Sequence, residues 1–204
     1  MRRDWIAPFT GIAFVVLAVI AFAVGGEPPD ADDPVEEIVA HYVDNQDSVV
    51  FAAILATVAV LLLLFFANYL RGVLASAEGP RSRLSPLVLV GASVMAVGVA
   101  FDATLSLAMA EAADDLEPAS LQALQALWDN DFLPIALGTT TLLISAGGAI
   151  VQTRIVPVWL GWVALGLAVV SFTPIGWIGF LGGGLWIAVL AAVLIARARA
   201  APAG

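Results

Sequence analysis

The sequence predicts an all-α integral membrane protein. We expect a polytopic bundle of six transmembrane helices, with two short amphipathic helices in the outer loops. Three observations lead to this fold class. Hydrophobic residues make up 61% of the 204 residues and charged residues only 12%, about half the charged fraction of a soluble domain. The apolar residues are gathered into long runs, and the charges of the two signs are separated between the loops.

The apolar runs predict a single transmembrane domain covering residues 1–204. They are 5–24, 49–70, 84–110, 132–151, 156–172 and 175–196. A helix needs about 20 apolar residues to cross the hydrocarbon core of a bilayer. The third run is longer, so we expect it to tilt or to extend beyond the bilayer. The first run could instead be a cleaved signal peptide. It exceeds the roughly 7–15 apolar residues of such peptides, which favours its retention as a span.

The basic residues predict the orientation. All 8 are arginines, and six spans place every one of them on the same side of the membrane. The positive-inside rule makes that side cytoplasmic, together with both termini. Of the 17 acidic residues, all except Asp4, Glu78 and Asp102 lie in the opposite loops, 25–48 and 111–131. We therefore predict a multi-pass protein of the cell membrane with acidic outer loops.

Each outer loop is predicted to contain a short helix, at 34–43 and at 119–128. Asp33 is a candidate N-cap for the first of them, with Pro34 at its first turn. Both segments carry an apolar stripe at helical spacing: Val35, Ile38, Val39 and Tyr42 in one, and Leu121, Leu124, Leu127 and Trp128 in the other. Such stripes predict helices that either lie on the membrane surface or cap the bundle.

The layout resembles a family of uncharacterised six-helix membrane proteins that is common in actinobacterial genomes. The resemblance rests on the stretches "PFTGIAFVVL", "PDADDPVEEIVAHYVDN", "WDNDFLPIALG" and "VPVWLGWVALGLAVVSFTPIGWIGFLGGGLW", and it extends over essentially the whole chain. It implies the fold and the membrane location. It implies no activity, because none of these stretches is a catalytic signature.

The composition excludes several kinds of chemistry. There is no cysteine and no lysine, so disulfides, thiolate metal sites and Schiff bases are ruled out. His41 is the single histidine. Glu37 lies one helical turn before it, but a zinc site needs three or four ligands, so we predict no metal site. Phosphate-binding loops and hydrolase motifs are absent from the sequence. We expect no enzymatic activity, no cofactor and no nucleic-acid partner.

Asp102 is the one acidic residue inside a predicted span. Counting inward from Glu111 places it about 13 Å below the outer end of its helix, at about 1.5 Å per residue. Threonines in other spans lie at a similar depth, and Ser106 lies one helical turn away on the same face. The predicted site for a solute or an ion therefore consists of Asp102, Thr57, Thr139, Thr140 and Ser106.

Two interpretations of Asp102 follow from the cost of burying a charge. An unpaired carboxylate in a span costs about 2.5–3.5 kcal/mol on insertion scales. Asp102 either belongs to an outer-half site that binds or transports a small solute, ion or lipid, or bridges helices as a protonated acid. An alternative function is a non-enzymatic membrane subunit or regulator that meets a partner through its acidic outer cap. The expected partners are the lipid bilayer and, for that alternative, another membrane protein or a second copy of the chain.

Overall fold

The structure, a computed structural model, describes residues 6–171, 173 and 175–200, except for the side chain of Arg81. Within these residues the chain folds into α-helices and a single 3₁₀ turn and contains no strand, which confirms the all-α class. The helices are α1 (Phe9–Gly25), α2 (Val35–Asp44), α3 (Gln46–Glu78), α4 (Ser85–Ala112), α5 (Pro118–Trp128), α6 (Phe132–Thr153), α7 (Val158–Val170) and α8 (Gly176–Ala200).

The apolar helices fall on the six predicted runs. Four helical stretches are long and apolar enough to cross a membrane: α3, α4, α8 and Pro118–Thr153, which contains α6. The remaining two apolar helices, α1 and α7, are shorter. The structure thus supports a membrane protein, while crossing by α1 and α7 stays a prediction. Trp5 and Phe172, at the limits of two predicted runs, lie outside the described residues.

Helix α3 is much longer than the apolar run that predicted it. It has 33 residues and continues through Arg71 to Glu78, because nothing in "RGVLASAE" stops a helix. The stop comes at Gly79, whose φ of 76° is readily adopted only by glycine, and at Pro80 after it. The residues that follow the second predicted run, 49–70, are therefore helical as far as Glu78.

The apolar helices form a closed ring. Helix α1 packs against α3, α3 against α4, α4 against α6, α6 against α7, α7 against α8, and α8 against α1. The core of the ring contains fully buried side chains from several helices, among them Leu63, Phe66, Leu143, Leu160 and Leu190. The links that carry α2 and α5 lie at one end of the bundle, which we call the cap end. The opposite end, with Arg154, Arg197 and Arg199, is the arginine end.

Glycines bring neighbouring helices into close contact on one side of the ring. A Cβ atom added to Gly138 of α6 would overlap the backbone of Met95 in α4, and one added to Gly91 of α4 would overlap Leu142. Gly147 of α6 and Gly161 of α7 meet in the same way, each with its Cβ position 2.8 Å from the other's carbonyl oxygen. Small residues at crossings are the usual means by which membrane helices approach each other.

The two short helices cap the bundle. Helix α2 packs against α5, and both contact α4. Ile38, Tyr42 and Leu121 are almost completely buried there, in a cluster with Leu105 and Met109 of α4. Of the two arrangements that the apolar stripes allowed, the structure has the capping one. We call α2, α5 and residues 26–34 the cap.

Two details of the predicted cap helices are wrong. Asp33 does not cap α2: Pro34 occupies the N-cap position, and the Asp33 carboxylate accepts the Asp30 N–H at 2.9 Å, closing the turn before the helix. Leu127 is 48% exposed, whereas Gln125 is completely buried. Helix α5 turns Gln125 inward because the buried Tyr42 hydroxyl needs a hydrogen-bond partner, which Gln125 supplies.

Candidate functional site

A cavity of about 320 Å³ lies beneath the cap, between α1, α3 and α4. We call it the cap chamber. Its walls are mainly apolar and rich in small side chains, which include Ala18 and Ala21 of α1 and Ala52, Ala53, Ala56 and Ala59 of α3. Larger side chains at these facing positions would fill the space, so the alanines are the local reason why the helices enclose a cavity.

Polar side chains from three helices line the chamber. Helix α4 contributes Asp102 and Ser106, α2 contributes His41 and Tyr42, and α5 contributes Trp128. Because α2 and α5 belong to the cap, these groups lie where the cap meets the bundle. The chamber thus has a polar end under the cap and an apolar remainder.

Two polar atoms of side chains that line this end are buried without a regular hydrogen-bond partner among the described residues. They are Nε2 of His41 and Nε1 of Trp128, while Asp131, which follows α5 and is not among the lining residues, also has a buried Oδ2 without such a partner. The Trp128 N–H interacts with the Asp102 carboxyl, but outside the geometry of a regular hydrogen bond. Asp131 is near enough to Asp102 for their charges to interact. Buried polar atoms normally have hydrogen-bond partners. The His41 and Trp128 nitrogens are therefore available to a ligand.

The roof of the chamber is held by a hydrogen-bond chain. The Tyr42 hydroxyl donates to Oε1 of Gln125 at 2.7 Å, and Nε2 of Gln125 donates to Oδ1 of Asp129 at 2.9 Å. Oδ2 of Asp129 then accepts the backbone N–H of Ala31 at 2.8 Å. Burial raises the pKa of Tyr42, and the Asp129 charge adds to this effect, so the hydroxyl stays a donor. The chain joins α2, α5 and the loop before α2.

His41 lies at the chamber as a neutral, partly buried polar group. Burial lowers its pKa from the ordinary value of 6.5, and its ring meets the Tyr42 ring edge-to-face, with centroids 5.1 Å apart. Glu37 and Asp44, its neighbours in the sequence, are exposed. Among the described residues, no three His, Cys, Asp or Glu side chains form a group that could hold a metal ion.

The structure brings two of the five predicted site residues together in the chamber. Asp102 and Ser106 both line it, and the Ser106 hydroxyl donates to the backbone carbonyl of Asp102 at 3.1 Å. Thr139 lines a neighbouring cavity, where its hydroxyl donates to the Met95 sulfur at 3.4 Å. The hydroxyls of Thr139 and Ser106 therefore point to other acceptors than the Asp102 carboxyl.

The remaining two predicted residues lie elsewhere. Thr57 is on the exposed face of α3 and donates to the Ala53 carbonyl at 2.9 Å. Thr140 is buried, its hydroxyl has no hydrogen-bond partner in the part of the chain that the structure describes, and it lines neither cavity. Counting residues gave the depth of these side chains but not their direction around the helix axis, which changes by about 100° per residue.

Sequence reasoning missed His41 and Trp128 as site residues, because both were assigned to the short helices of the outer loops, which were predicted either to lie on the membrane or to cap the bundle. The sequence did indicate their position. His41 lies beside one apolar stripe and Trp128 lies within the other, and both stripes must face the bundle if the two short helices form a cap. Comparisons with protein-family models, with curated proteins and with solved structures give no match. The resemblance to actinobacterial membrane proteins therefore stays a prediction.

Proposed function

We propose that this membrane protein binds a small molecule in the cap chamber, with the polar end of that molecule held at Asp102. One observation carries the proposal: polar groups from three separate helices converge at one end of an apolar cavity, and two of them, on His41 and Trp128, have no regular hydrogen-bond partner among the described residues. A volume of about 320 Å³ is at the lower end of the range for small-molecule pockets, about 300–1,000 Å³.

The chemistry of the polar end favours a hydroxyl or an amine. The Asp102 carboxylate accepts an O–H or N–H donor, and the Trp128 N–H can only donate. Neutral His41 accepts or donates at Nε2 according to its tautomer. We assign binding rather than catalysis to this site, because the Ser106 hydroxyl donates to a backbone carbonyl and not to a base.

We infer that all six apolar helices cross the membrane, with the cap outside and both termini in the cytoplasm. Arg71 of α3, Arg154 directly after α6, and Arg197 and Arg199 of α8 support this orientation through the positive-inside rule. The chain has no cysteine, so single-cysteine variants give a clean test. A cysteine at exposed Asp32 should react with a membrane-impermeant maleimide in intact cells, and one at Ser82 should react only after lysis. The opposite pattern would reverse the orientation.

The binding proposal can be tested with a short photoreactive alkylamine, a butylamine that carries a diazirine. The protein is placed in lipid nanodiscs, irradiated with the probe and digested, and the labelled peptides are identified by mass spectrometry. We expect labelling of α2, α4 and α5 around the polar end. In Asp102→Asn the labelling should fall about tenfold, because the Asn oxygen still accepts a hydrogen bond but a neutral one, worth about 0.5–1.5 kcal/mol instead of about 1.5–3 kcal/mol for a charged acceptor, and a difference of about 1.4 kcal/mol is tenfold in a binding constant.

Glu111→Gln is the matched control, because it removes the same charge from an exposed position on the same helix. Its labelling should equal that of the wild type. The thermal unfolding of both variants shows whether the fold is kept. If Asp102→Asn folds normally and is labelled like the wild type, Asp102 does not hold the ligand. If both charge removals reduce labelling equally, the probe responds to the total negative charge at the cap end and not to the chamber.

A further inference from the structure

A second cavity, of about 300 Å³, adjoins the cap chamber. It lies between α1, α4, α6 and α8. The two cavities share five lining residues: Phe14, Ala18, Phe22, Met95 and Phe180. We call the second cavity the side arm. Because the same side chains border both spaces, the side arm extends the chamber away from its polar end.

The side arm is suited to hydrocarbon. Apart from Thr139, the described side chains that line it are apolar, and the Thr139 hydrogen is already donated to Met95. Two glycines of α8 widen it. A Cβ atom on Gly184 would meet no atom within 4 Å, and one on Gly183 would touch Thr139 and Leu143 only at ordinary distances of 3.4 and 3.5 Å. The space beside these glycines is open rather than filled by packing.

The side arm opens toward the bilayer between α1 and α8. Its lining includes Val19 and Phe22 of α1, which are 62% and 77% exposed, and Leu181 and Leu185 of α8, which are 60% and 66% exposed. The two helices meet at the arginine end, where the guanidinium of Arg199 lies 5.9 Å from the Phe9 ring centroid. The exposed apolar side chains therefore belong to the cap-end halves of α1 and α8, which lipid chains would surround.

We propose that the ligand is a single-chain amphiphile taken from the cap-end leaflet. Its hydroxyl or amine head lies at Asp102, and its hydrocarbon chain lies in the side arm after passing between α1 and α8. This proposal rests on the proposed function. The head is neutral or cationic, because Asp102 and the nearby Asp131 disfavour an anion at this place. A side arm of about 300 Å³ is narrow for the paired chains of a bilayer phospholipid.

The probe for this proposal is a dodecylamine that carries a diazirine at the far end of its chain. In nanodiscs it should label α6 and α8 around Thr139 and Gly184, whereas the short butylamine probe should not. Gly184→Leu fills the side arm with a side chain. It should reduce labelling by the dodecylamine about tenfold, since withdrawing roughly two methylene groups from an apolar site has that effect on a binding constant. Labelling by the butylamine should be unchanged.

Gly166→Leu is the matched control. Gly166 lies in α7, its Cβ position also meets nothing within 4 Å, and it lines neither cavity. This variant should be labelled like the wild type. If Gly184→Leu does not fold, Gly184→Val is used in its place. Normal dodecylamine labelling in a folded Gly184 variant that also keeps its butylamine labelling would overturn the proposal that the hydrocarbon chain lies in the side arm. It would not affect the proposal of binding in the cap chamber. Loss of butylamine labelling in the wild type itself would instead contradict the proposed function.

Dodecanoic acid and dodecanol test the head group. Both have the same chain as the probe and compete with it for the side arm. We expect dodecanol to displace the dodecylamine probe and dodecanoic acid, as its anion, to displace it at least about tenfold less well, which corresponds to about 1.4 kcal/mol. Equal competition by the acid and the alcohol would overturn the assignment of a neutral or cationic head.

Discussion

The two sides of helix α4 are packed in opposite ways. Toward α6, Gly91 lets the two backbones touch, and a Cβ atom on Gly98 would lie 2.7 Å from the Ile135 side chain. Toward α1 and α3, the same helix presents Asp102 and Ser106 to an open chamber of about 320 Å³. The chamber is therefore not the result of loose packing throughout the bundle. It is a local feature, made by alanines on the facing helices, beside a contact that has no space to spare.

The largest expected effect is on the tight side. Gly138→Leu should destabilise the bundle by about 3 kcal/mol or more, at the upper end of the usual cost of overpacking, because the new side chain must displace the Met95 backbone. Ala56→Leu adds a comparable bulk to the wall of the cap chamber, where space is available. It should change the stability by less than about 1 kcal/mol. Thermal unfolding in bicelles, followed by circular dichroism, measures both.

Gly72→Leu is the control for the loss of a helix glycine. Gly72 is exposed on α3, and its Cβ position meets nothing within 4 Å, so this variant should unfold near the wild-type temperature. Equal destabilisation by Gly138→Leu and Ala56→Leu would remove the contrast between the two sides of α4. A Gly138→Leu variant as stable as Gly72→Leu would show that α4 and α6 can move apart at little cost.

The helices themselves could be predicted from the sequence, whereas the difference between the two sides of α4 could not. The apolar runs predicted the helices well, because the bilayer imposes a length and a composition on any segment that crosses it. The cap helices were predicted from their stripes, since apolar positions at helical spacing must be buried somewhere. The end of α3 was predicted wrongly: the apolar run ends at residue 70, but the helix continues to Glu78, since polar residues such as Arg71 are good helix formers.

The candidate site was only partly predictable. Asp102 was identified from the cost of a carboxylate in a span, and Ser106 from its spacing of one turn. Thr57 was included by depth alone, and it lies on the exposed face of α3. Which side of a helix meets the others depends on long-range packing that residue counting does not contain. His41 and Trp128 were missed for the same reason, since only the docking of the cap brings them to the chamber.

The smallest expected effect is the pH dependence of stability that His41 contributes at the cap chamber. Burial lowers the pKa of His41 from its ordinary value of 6.5, so the unfolded chain takes up a proton at a higher pH than the folded protein does. The His41 contribution to stability is therefore complete above about pH 7 and decreases as the pH falls through 6.5. Because the His41 ring is partly solvated, the slope of the free energy of unfolding against pH should stay well below about 1.4 kcal/mol per pH unit, the limit for one proton.

The comparison of the wild type with His41→Gln isolates this effect, because the acidic residues of the cap are common to both proteins. The unfolding temperature of the wild type should fall faster than that of the variant between pH 7 and pH 5, and the two should run parallel above pH 7. Filling the chamber with a bound amine should enlarge the difference, since the amine and a protonated His41 would both be cations in the same chamber. Curves that stay parallel down to pH 5 would place His41 in water, outside the chamber.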